Sequence, residues 1–352
     1  MSNKLFMIYG ANGYTGELIA REAKKRGLNP ILAGRNEAKV RSLAHELGLE
    51  YRTFSLDDAE TAVDELNDIH TVIHCAGPFS STAEPMIEAC LQSKTHYTDI
   101  TGEISVFEYG QSQNSRAKKA GIVVCPGVGF DVIPTDCVAN KLKQVMPDAT
   151  HLVLGFDSRS GFSPGTAKTS VEGLKAGGRI RENGKLTTVS LAAKSRQIDF
   201  GDGVKNAVCI PWGDVSTAAF TTGIANIEVY IPMSPKSVKN MNRLNIIRPI
   251  LGVKLVQNFL KKKAAGSVKG PDERTREKLI THVWGEAKNA KGEIKTARIK
   301  TANGYSLTVT GALAVTDYLL TKDCTGGYYT PSTLINSELV EQLPGSGKIL
   351  IS

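Results

Sequence analysis

Short apolar stretches alternate with amphipathic ones through the first 125 residues. The apolar stretch at 5–9 runs into a glycine-containing loop, and the amphipathic stretch from about 14 to 26 predicts a helix that Gly27 can end. The same alternation predicts strands at 30–33, 51–56, 71–76, 97–100 and 122–125, with helices at 37–47, 58–66, 84–93 and 105–120 between them. Such alternation is typical of a doubly wound parallel sheet, so we predict an α/β domain.

The alternation stops near residue 130. A helix at 134–145 is followed by predicted strands at 151–156, 186–189, 225–232, 295–301 and 305–310. We therefore predict a second, α+β domain over 131–311, which would supply a substrate or dimerisation surface. The remaining segment, about 312–352, looks helical as far as residue 343, and we expect it to pack back on the first domain, 1–130, because chain termini often lie close together.

The loop after the first strand carries glycines with the spacing G-x-x-G-x-x-G. Such glycines allow a tight turn, close approach of the backbone to a pyrophosphate, and close packing of the helix on the strand. The free N–H groups of the helix N-terminus then face the phosphates. We therefore predict a Rossmann-type dinucleotide site, with a purely structural turn as the alternative; the predicted binding residues here are Gly10, Asn12, Gly13, Tyr14, Thr15 and Gly16.

The loop after the second strand indicates which dinucleotide binds. Domains that prefer NAD place an acidic residue there, whereas this chain has Arg35 and Asn36. A guanidinium matches a 2′-phosphate, so NADP(H) is the predicted cofactor; a solvated loop arginine is the alternative. Asp57 is expected either beside the adenine or as a helix N-cap. Small residues after the fourth strand are expected to line the cofactor crevice or form a structural turn: Cys75, Ala76, Gly77 and Pro78.

Composition narrows the class of protein further. At 352 residues with 41% hydrophobic content, the chain is long enough for two domains. Its net charge of +8 is read as scattered, and no basic strand studded with aromatic residues is found, so nucleic-acid binding is not expected. The 6 cysteines form no C-x-x-C pair and no cluster with metal-ligand spacing, which predicts reduced thiols and no metal site. With no signal sequence recognised, we expect a cytoplasmic protein.

Hydride chemistry often needs a proton carrier beside the cofactor. Tyr97, Asp99 and Glu103 follow the fifth strand, and Asp131 and Asp136 flank the predicted domain junction. Of these, Tyr97 and Asp131 are the predicted catalytic residues. Helix capping is the alternative for the two later aspartates, and a hydrogen bond between loops is the alternative for Asp99 and Glu103.

Residues 243–263 combine apolar residues at near-helical spacing with a run of basic residues. The pattern predicts one basic amphipathic helix, which Pro249 would kink or start. Such a helix can lie in a membrane interface, in which case a lipid-linked substrate becomes more plausible. The alternative is a surface helix that closes the second domain or a dimer interface, and a homo-oligomer is expected.

Seven motifs spread over most of the chain resemble the saccharopine dehydrogenase-like oxidoreductases, which include the mycobacterial trans-acting enoyl reductases. They lie at 10–16, 33–36, 75–78, 96–103, 127–136, 270–274 and 284–287. The resemblance implies NADP binding by the first glycine loop and Arg35, with a second domain that covers the nicotinamide and forms the substrate pocket. It implies hydride transfer to or from an unidentified C=O, C=N or C=C substrate. The alternative is a non-catalytic NADP(H)-binding redox sensor or lipid-surface scaffold.

Overall fold

A computed structural model describes residues 4–159, 163, 171, 173–251, 253–266 and 270–352. The chain divides into two compact units. The first extends to Ile133 and takes up the chain again over Tyr305–Asn336, and the second comprises Pro134–Gly304 and Ser337–Ser352. The sequence boundaries were 130 and 311, with the whole tail assigned to the first domain; in the structure the residues from Ser337 onward belong to the second unit.

The strands alternate with helices as far as β6. In chain order, the strands of the described residues are β1 Leu5–Tyr9, β2 Ile31–Gly34, β3 Tyr51–Thr53, β4 Ile69–His74, β5 His96–Asp99, β6 Val123–Cys125, β7 Ala149–Ser158, β8 Gly178–Glu182, β9 Lys185–Val189, β10 Ser195–Asp199, β11 Val204–Cys209, β12 Asn226–Pro232, β13 Ile280–Asn289, β14 Ile294–Ala302, β15 Gly327–Tyr328 and β16 Leu350–Ile351.

Helices occupy both units. Within the described residues they are α1 Tyr14–Lys25, α2 Glu37–Leu47, α3 Ala59–Asp64, α4 Phe79–Ser93, α5 Ile104–Ser112, α6 Asn114–Ala120, α7 Ile133–Val145, α8 Asp214–Thr222, α9 Pro235–Leu251, α10 Lys254–Gly266, α11 Glu273–Lys278, α12 Gly304–Thr321, α13 Pro331–Leu334 and α14 Leu339–Gln342.

The first unit contains the predicted doubly wound sheet. Among the described residues, 7 parallel strands lie in the order β15-β6-β5-β4-β1-β2-β3. The order reverses between β1 and β4, and in open α/β sheets ligands bind at the carboxyl edge beside such a reversal. The prediction of a Rossmann-type α/β domain is confirmed, and both loops carry predicted cofactor residues.

The predicted strand at 305–310 is wrong, because these residues belong to α12. Valine and threonine give the segment a strand-like composition, but Thr308, Ala312, Val315 and Leu319 are buried with the three- and four-residue spacing of one helix face. Burial of this face outweighs the small intrinsic preference of β-branched residues for strands.

The second unit confirms the predicted α+β class. Among its described residues, strands lie in the order β10-β11-β12-β7-β13-β14-β16. In addition, β8 pairs with β12, and β9 pairs with β8. β7 and β12 are parallel, whereas the other pairs are antiparallel. An apolar cluster on this sheet includes Ile198, Phe200, Tyr230 and Trp284. The sequence did not predict β8, β10, β11 or β13. In β8 and β10, charged residues interrupt the apolar pattern.

The basic apolar segment 243–263 is not one helix. It is divided between α9 and α10, and Val253 lies between them in a bend. Pro249 lies within α9. Residue 252, at the interruption, is outside the described residues. In the parts of the chain that the structure describes, no helix combines the length and apolar character needed to cross a bilayer.

Candidate functional site

The loop after β1 is built on three close backbone approaches. Gly10 has φ +82°, and a Cβ there would lie 2.7 Å from the backbone N of Ala76. A Cβ on Gly16 would lie 2.4 Å from the carbonyl O of Gly10, and the N–H of Gly13 donates to that same oxygen over 2.9 Å. Only glycine fits at positions 10 and 16, so the loops after β1 and β4 can lie against each other.

The N-terminus of α1 is suited to bind an anion. Its N-cap is Gly13, in an extended conformation, and within the described residues the cap makes no side-chain hydrogen bond. By contrast, α2 is capped by Asn36, whose Oδ1 accepts from the N–H of Lys39 over 3.0 Å. Uncapped N–H groups and the positive end of the helix dipole together attract phosphate. The cradle therefore suits the pyrophosphate of a dinucleotide.

Arg35 lies at the carboxyl edge beside this loop. It follows Gly34, and a Cβ on Gly34 would lie 3.0 Å from Asn12 Oδ1, so the ends of β1 and β2 are in contact. The Arg35 side chain is exposed, and within the described residues it forms no hydrogen bond or ion pair. An exposed guanidinium that has no partner within the described residues can bind a phosphate without first breaking a contact with the rest of the protein.

Asp57 belongs to the same edge but does not cap a helix. Ser55 Oγ donates to its carboxylate over 2.9 Å, and the cap of α3 is Asp58, which accepts from the N–H of Thr61. The charges of Arg35 and Asp57 both act on the buried phenol of Tyr9. Burial raises the pKa of Tyr9 to about 12, Arg35 lowers it and Asp57 raises it. Two charged groups therefore flank the end of β1, and the N-cap alternative for Asp57 is wrong.

The loop after β4 is held from below by a histidine that the sequence did not single out. His74 is fully buried, and burial lowers its pKa to about 3, so the ring is neutral. Thr82 Oγ1 donates to the carbonyl O of Ala76 over 2.6 Å, so His74 Nε2, at 3.0 Å, donates to Thr82. This chain of hydrogen bonds fixes Ala76 opposite Gly10.

Glu103 closes the other end of this loop. Its two carboxylate oxygens accept from the N–H groups of Phe79 and Ser80, over 3.0 Å and 2.8 Å. A carboxylate therefore already occupies the N-terminus of α4, and this helix end does not offer a second phosphate site. Glu103 therefore fits the alternative interpretation, a hydrogen bond between loops, better than it fits a proton-transfer role.

Asp99 is the centre of a buried hydrogen-bond cluster. Its Oδ1 accepts from the N–H groups of Thr101 and Gly127, over 3.0 Å and 2.8 Å, and its Oδ2 accepts from the Tyr97 hydroxyl over 2.6 Å. Burial raises the pKa of Asp99 to about 6, although these hydrogen bonds lower it. Tyr97 is also fully buried. The predicted catalytic role of Tyr97 therefore needs correction, because its hydroxyl is directed into the protein and is already bonded.

Asp131 lies on the loop that Asp99 anchors. The loop is fixed at its base because the N–H of Phe130 donates to Thr308 Oγ1 of α12 over 3.0 Å. A Cβ on Gly102 would lie 2.9 Å from Asp131 Oδ2, so the carboxyl group sits against the backbone of that residue. Within the described residues, Asp131 Oδ1 is shielded and has no hydrogen-bond partner, and burial raises the pKa of the carboxyl group to about 7.

The other residues predicted from the sequence have the surroundings of side chains that support the fold. Asp136 belongs to the second unit, is fully buried and accepts from Thr221 Oγ1 over 2.5 Å. Cys75 has a thiol whose pKa is raised by burial, so its thiolate form is disfavoured. Tyr14 stacks edge-on against Tyr305, with ring centroids 5.2 Å apart. Thr308 and His74 are the site residues that sequence reasoning missed; Thr308 is distant in sequence, but the position of His74 directly before Cys75 was a usable signal.

Comparison with known proteins agrees with the geometry of the first unit. Residues 6–125 match the family model described as the saccharopine dehydrogenase NADP binding domain. The match covers about a third of the chain and lies within the first unit. The cofactor predicted from Arg35, NADP(H), is thereby confirmed, as is the family resemblance inferred from the motifs.

Three curated proteins are among the relatives of this chain. A lipid droplet localized protein of Caenorhabditis elegans is 27% identical over 263 residues, 69% of this chain and 60% of its own length. The human saccharopine dehydrogenase-like oxidoreductase is 26% identical over 52% of this chain and 48% of its own. A trans-acting enoyl reductase of Mycobacterium ulcerans is 26% identical over 48% and 44%. The chain thus spans less than two thirds of the length of these relatives.

The fold extends beyond the NADP-binding domain. Saccharopine dehydrogenase (L-Glu forming) of Saccharomyces cerevisiae aligns with 99% of this chain and 100% of its own, with a TM-score of 0.64 and 14% sequence identity. At this identity the match concerns the fold alone. It supports the assignment of a Rossmann-like sheet followed by a second, mixed sheet.

Proposed function

We propose that the chain is an NADP(H)-dependent oxidoreductase that transfers hydride to or from a C=O, C=N or C=C carbon of a small-molecule or lipid-linked substrate. The observation that carries the proposal is the unpartnered guanidinium of Arg35 beside the uncapped N-terminus of α1, in an NADP-binding domain. The names of the relatives, an oxidoreductase and an enoyl reductase, support this class of reaction.

Each part of the cofactor has a counterpart in the first unit. The N–H groups that follow Gly13 would hold the pyrophosphate, and Arg35 would pair with the 2′-phosphate. Asn36 and Asp57 would border the adenosine, and the loop at 75–78, on the other side of the strand-order reversal, would border the nicotinamide. When bound, NADPH supplies a hydride, and the chain's own residues supply position and the proton.

Asp131 is the proposed proton carrier. Its pKa near 7 leaves a fraction of the carboxyl groups protonated at neutral pH, and its Oδ1 has no competing partner within the described residues. Such a group can donate a proton to an oxygen, nitrogen or carbon that becomes electron-rich when hydride arrives. Tyr97 and Asp99 are positioning residues in this proposal, because they hold the loop that carries Asp131 through Gly127.

Cofactor binding is tested first, by titrating the wild type and Arg35→Ala with NADPH and NADH and following nicotinamide fluorescence. We expect the wild type to prefer NADPH and Arg35→Ala to lose that preference by about 10- to 100-fold, the equivalent of one charge-assisted hydrogen bond. Arg41→Ala, which removes an exposed ion pair with Glu37, is the matched control and should change neither affinity. Equal affinity of the wild type for both nucleotides would overturn the assignment.

Turnover is tested with NADPH and a panel of carbonyl, imine and enoyl compounds. For whichever compound reacts, Asp131→Asn should lower kcat while leaving the NADPH affinity unchanged. In the direction of reduction, the wild-type rate should fall as pH rises through about 7, because the acid form of Asp131 is lost. An unchanged pH profile in Asp131→Asn argues against this role. Tight NADPH binding without oxidation by any compound supports the non-catalytic sensor instead.

A further inference from the structure

The helix α9 presents three isoleucines on the side that faces away from the rest of the second unit. Asn245 holds the inner side, because its Oδ1 accepts from the N–H of Leu191 over 2.8 Å and its Nδ2 donates to the Leu191 carbonyl over 3.1 Å. Ile246, Ile247 and Ile250, which share the opposite face, are 81%, 43% and 58% exposed. A helix of a globular unit normally places these residues inward.

The helix α10 also presents large apolar side chains to solvent. The polar Gln257 is buried, and its Nε2 donates to the carbonyl O of Leu251 over 2.5 Å. Leu255 and Phe259, one turn apart, are 81% and 66% exposed. Lys262, one turn further along the same face, is also exposed. Each helix is therefore held by the protein on one side and presents large apolar side chains to solvent on the other.

Together these exposed side chains form what we call the apolar patch, defined as Ile246, Ile247, Ile250, Val253, Leu255 and Phe259. Other exposed large apolar residues in the described part of the chain, such as Val145 and Val204, are isolated along the sequence. Single exposed apolar residues are ordinary, whereas a concentration of them marks a contact surface.

The charge around the apolar patch is one-sided. Between residues 229 and 271 the chain has nine lysines and arginines and no aspartate or glutamate, which leaves 34 basic and 35 acidic residues elsewhere. The interpretation that positive charge is scattered along the chain is therefore wrong, since this segment accounts for the whole net charge of +8. The partner of the apolar patch must accept inserted apolar side chains and carry negative charge around them.

We propose that the apolar patch inserts into an anionic phospholipid surface, with exposed basic residues such as Arg243, Lys262 and Lys263 on the headgroup phosphates. A symmetric contact with a second copy would place two strongly positive segments against each other. A nucleic-acid backbone offers the charge but no acyl layer for Leu255 or Phe259. The membrane contact goes beyond the proposed reaction and does not depend on it, because it rests on α9 and α10 alone.

The test is flotation with vesicles of phosphatidylcholine and vesicles of equal parts phosphatidylcholine and phosphatidylglycerol. The wild type should float with the mixed vesicles, and salt should weaken this binding. Leu255→Ser/Phe259→Ser should lower the bound fraction at least about tenfold, because two large apolar side chains no longer leave water. Lys262→Glu/Lys263→Glu should lower binding to the mixed vesicles. Val204→Ser/Leu350→Ser, which changes side chains 68% and 70% exposed outside the patch, should bind as the wild type does.

Three results would overturn the proposal. The first is equal binding of Leu255→Ser/Phe259→Ser and the wild type, and the second is equal binding to both vesicle types. The third is a wild-type dimer, seen by light scattering, that dissociates in Leu255→Ser/Phe259→Ser while no variant floats, since this assigns the apolar patch to a second copy. Equal thermal midpoints are expected because all six substituted positions are exposed, and they would confirm that the variants fold.

Discussion

The Tyr97 hydroxyl donates a 2.6 Å hydrogen bond to Asp99 Oδ2, and both side chains are fully buried. The same carboxyl group accepts from the N–H of Gly127 through its other oxygen. A tyrosine near the proposed cofactor crevice is thus bonded to the group that anchors the loop of Asp131. Its contribution to the site is expected to come through the position of that loop.

Replacing Tyr97 by Phe tests this relationship. The hydrogen bond lowers the pKa of Asp99, so its loss should raise that pKa further above about 6 and leave a buried carboxylate with one donor fewer. We expect the free energy of unfolding at pH 8 to fall by about 1–3 kcal/mol. At pH 4, where the carboxyl group is protonated, the loss should be smaller. Urea denaturation at both pH values measures it.

The matched control for that experiment is Tyr318→Phe, because the Tyr318 hydroxyl makes no hydrogen bond within the described residues. It should have little effect at either pH. If Tyr97→Phe were as stable as the wild type but had lost turnover, the tyrosine would act on the reacting groups and the positioning role would be wrong.

Gly10→Ala should prevent the close approach of the loops after β1 and β4. Its Cβ would lie 2.7 Å from the backbone N of Ala76, at a φ of +82° that alanine rarely adopts. Gly27→Ala has a similar φ of +75° with no atom within 4 Å of the new Cβ, so it isolates the backbone strain. The control should cost about 1 kcal/mol, whereas Gly10→Ala should cost more and abolish NADPH binding. Similar unfolding midpoints for the two variants would contradict the contact.

Asp131→Asn should change how stability depends on pH. The folded carboxyl group has a pKa of about 7, raised by burial above the 3.8 of an exposed aspartate, so the native state binds more protons than the unfolded state between these values. The free energy of unfolding of the wild type should therefore fall as pH rises from about 4 to 7. At about 1.4 kcal/mol per pKa unit, the loss is at most about 4 kcal/mol.

The asparagine variant lacks this titration, so its stability relative to the wild type should increase over the same pH interval. Guanidinium denaturation at pH 4, 6 and 8 checks the prediction. A constant difference between the two proteins across this interval would show that Asp131 ionises as an exposed carboxylate does, and would remove its suitability as a proton donor near neutral pH.

Glu103→Gln should weaken the N-terminus of α4 without affecting the cofactor. The carboxylate accepts two backbone hydrogen bonds there, and the neutral amide retains only one oxygen. We expect the free energy of unfolding to fall by about 1 kcal/mol, with the NADPH affinity unchanged. Urea denaturation and nicotinamide fluorescence measure the two quantities, with the exposed Glu50→Gln as the control. A large loss of NADPH affinity would place Glu103 at the cofactor instead.

Much of the first unit could be predicted because its signals are local. The period of apolar residues distinguishes strands from helices, and the spacing of Gly10, Gly13 and Gly16 indicates a phosphate loop with no knowledge of the rest of the chain. The second unit was harder. The strands β10 and β11 pair across a glycine turn and carry charged residues, so their apolar face becomes visible only beside Tyr230 and Trp284.

The sequence by itself determined the α/β alternation, the glycine loop after the first strand and NADP(H) as the cofactor, because each depends on residues close together in the chain. Only the tertiary structure decided that Tyr97 is bonded inward and that Phe130 is held by Thr308. It alone decided that α9 and α10 leave Ile246, Ile250, Leu255 and Phe259 exposed to solvent. Periodicity reveals that a helix has an apolar face but not what that face meets, because this depends on contacts between residues far apart in sequence.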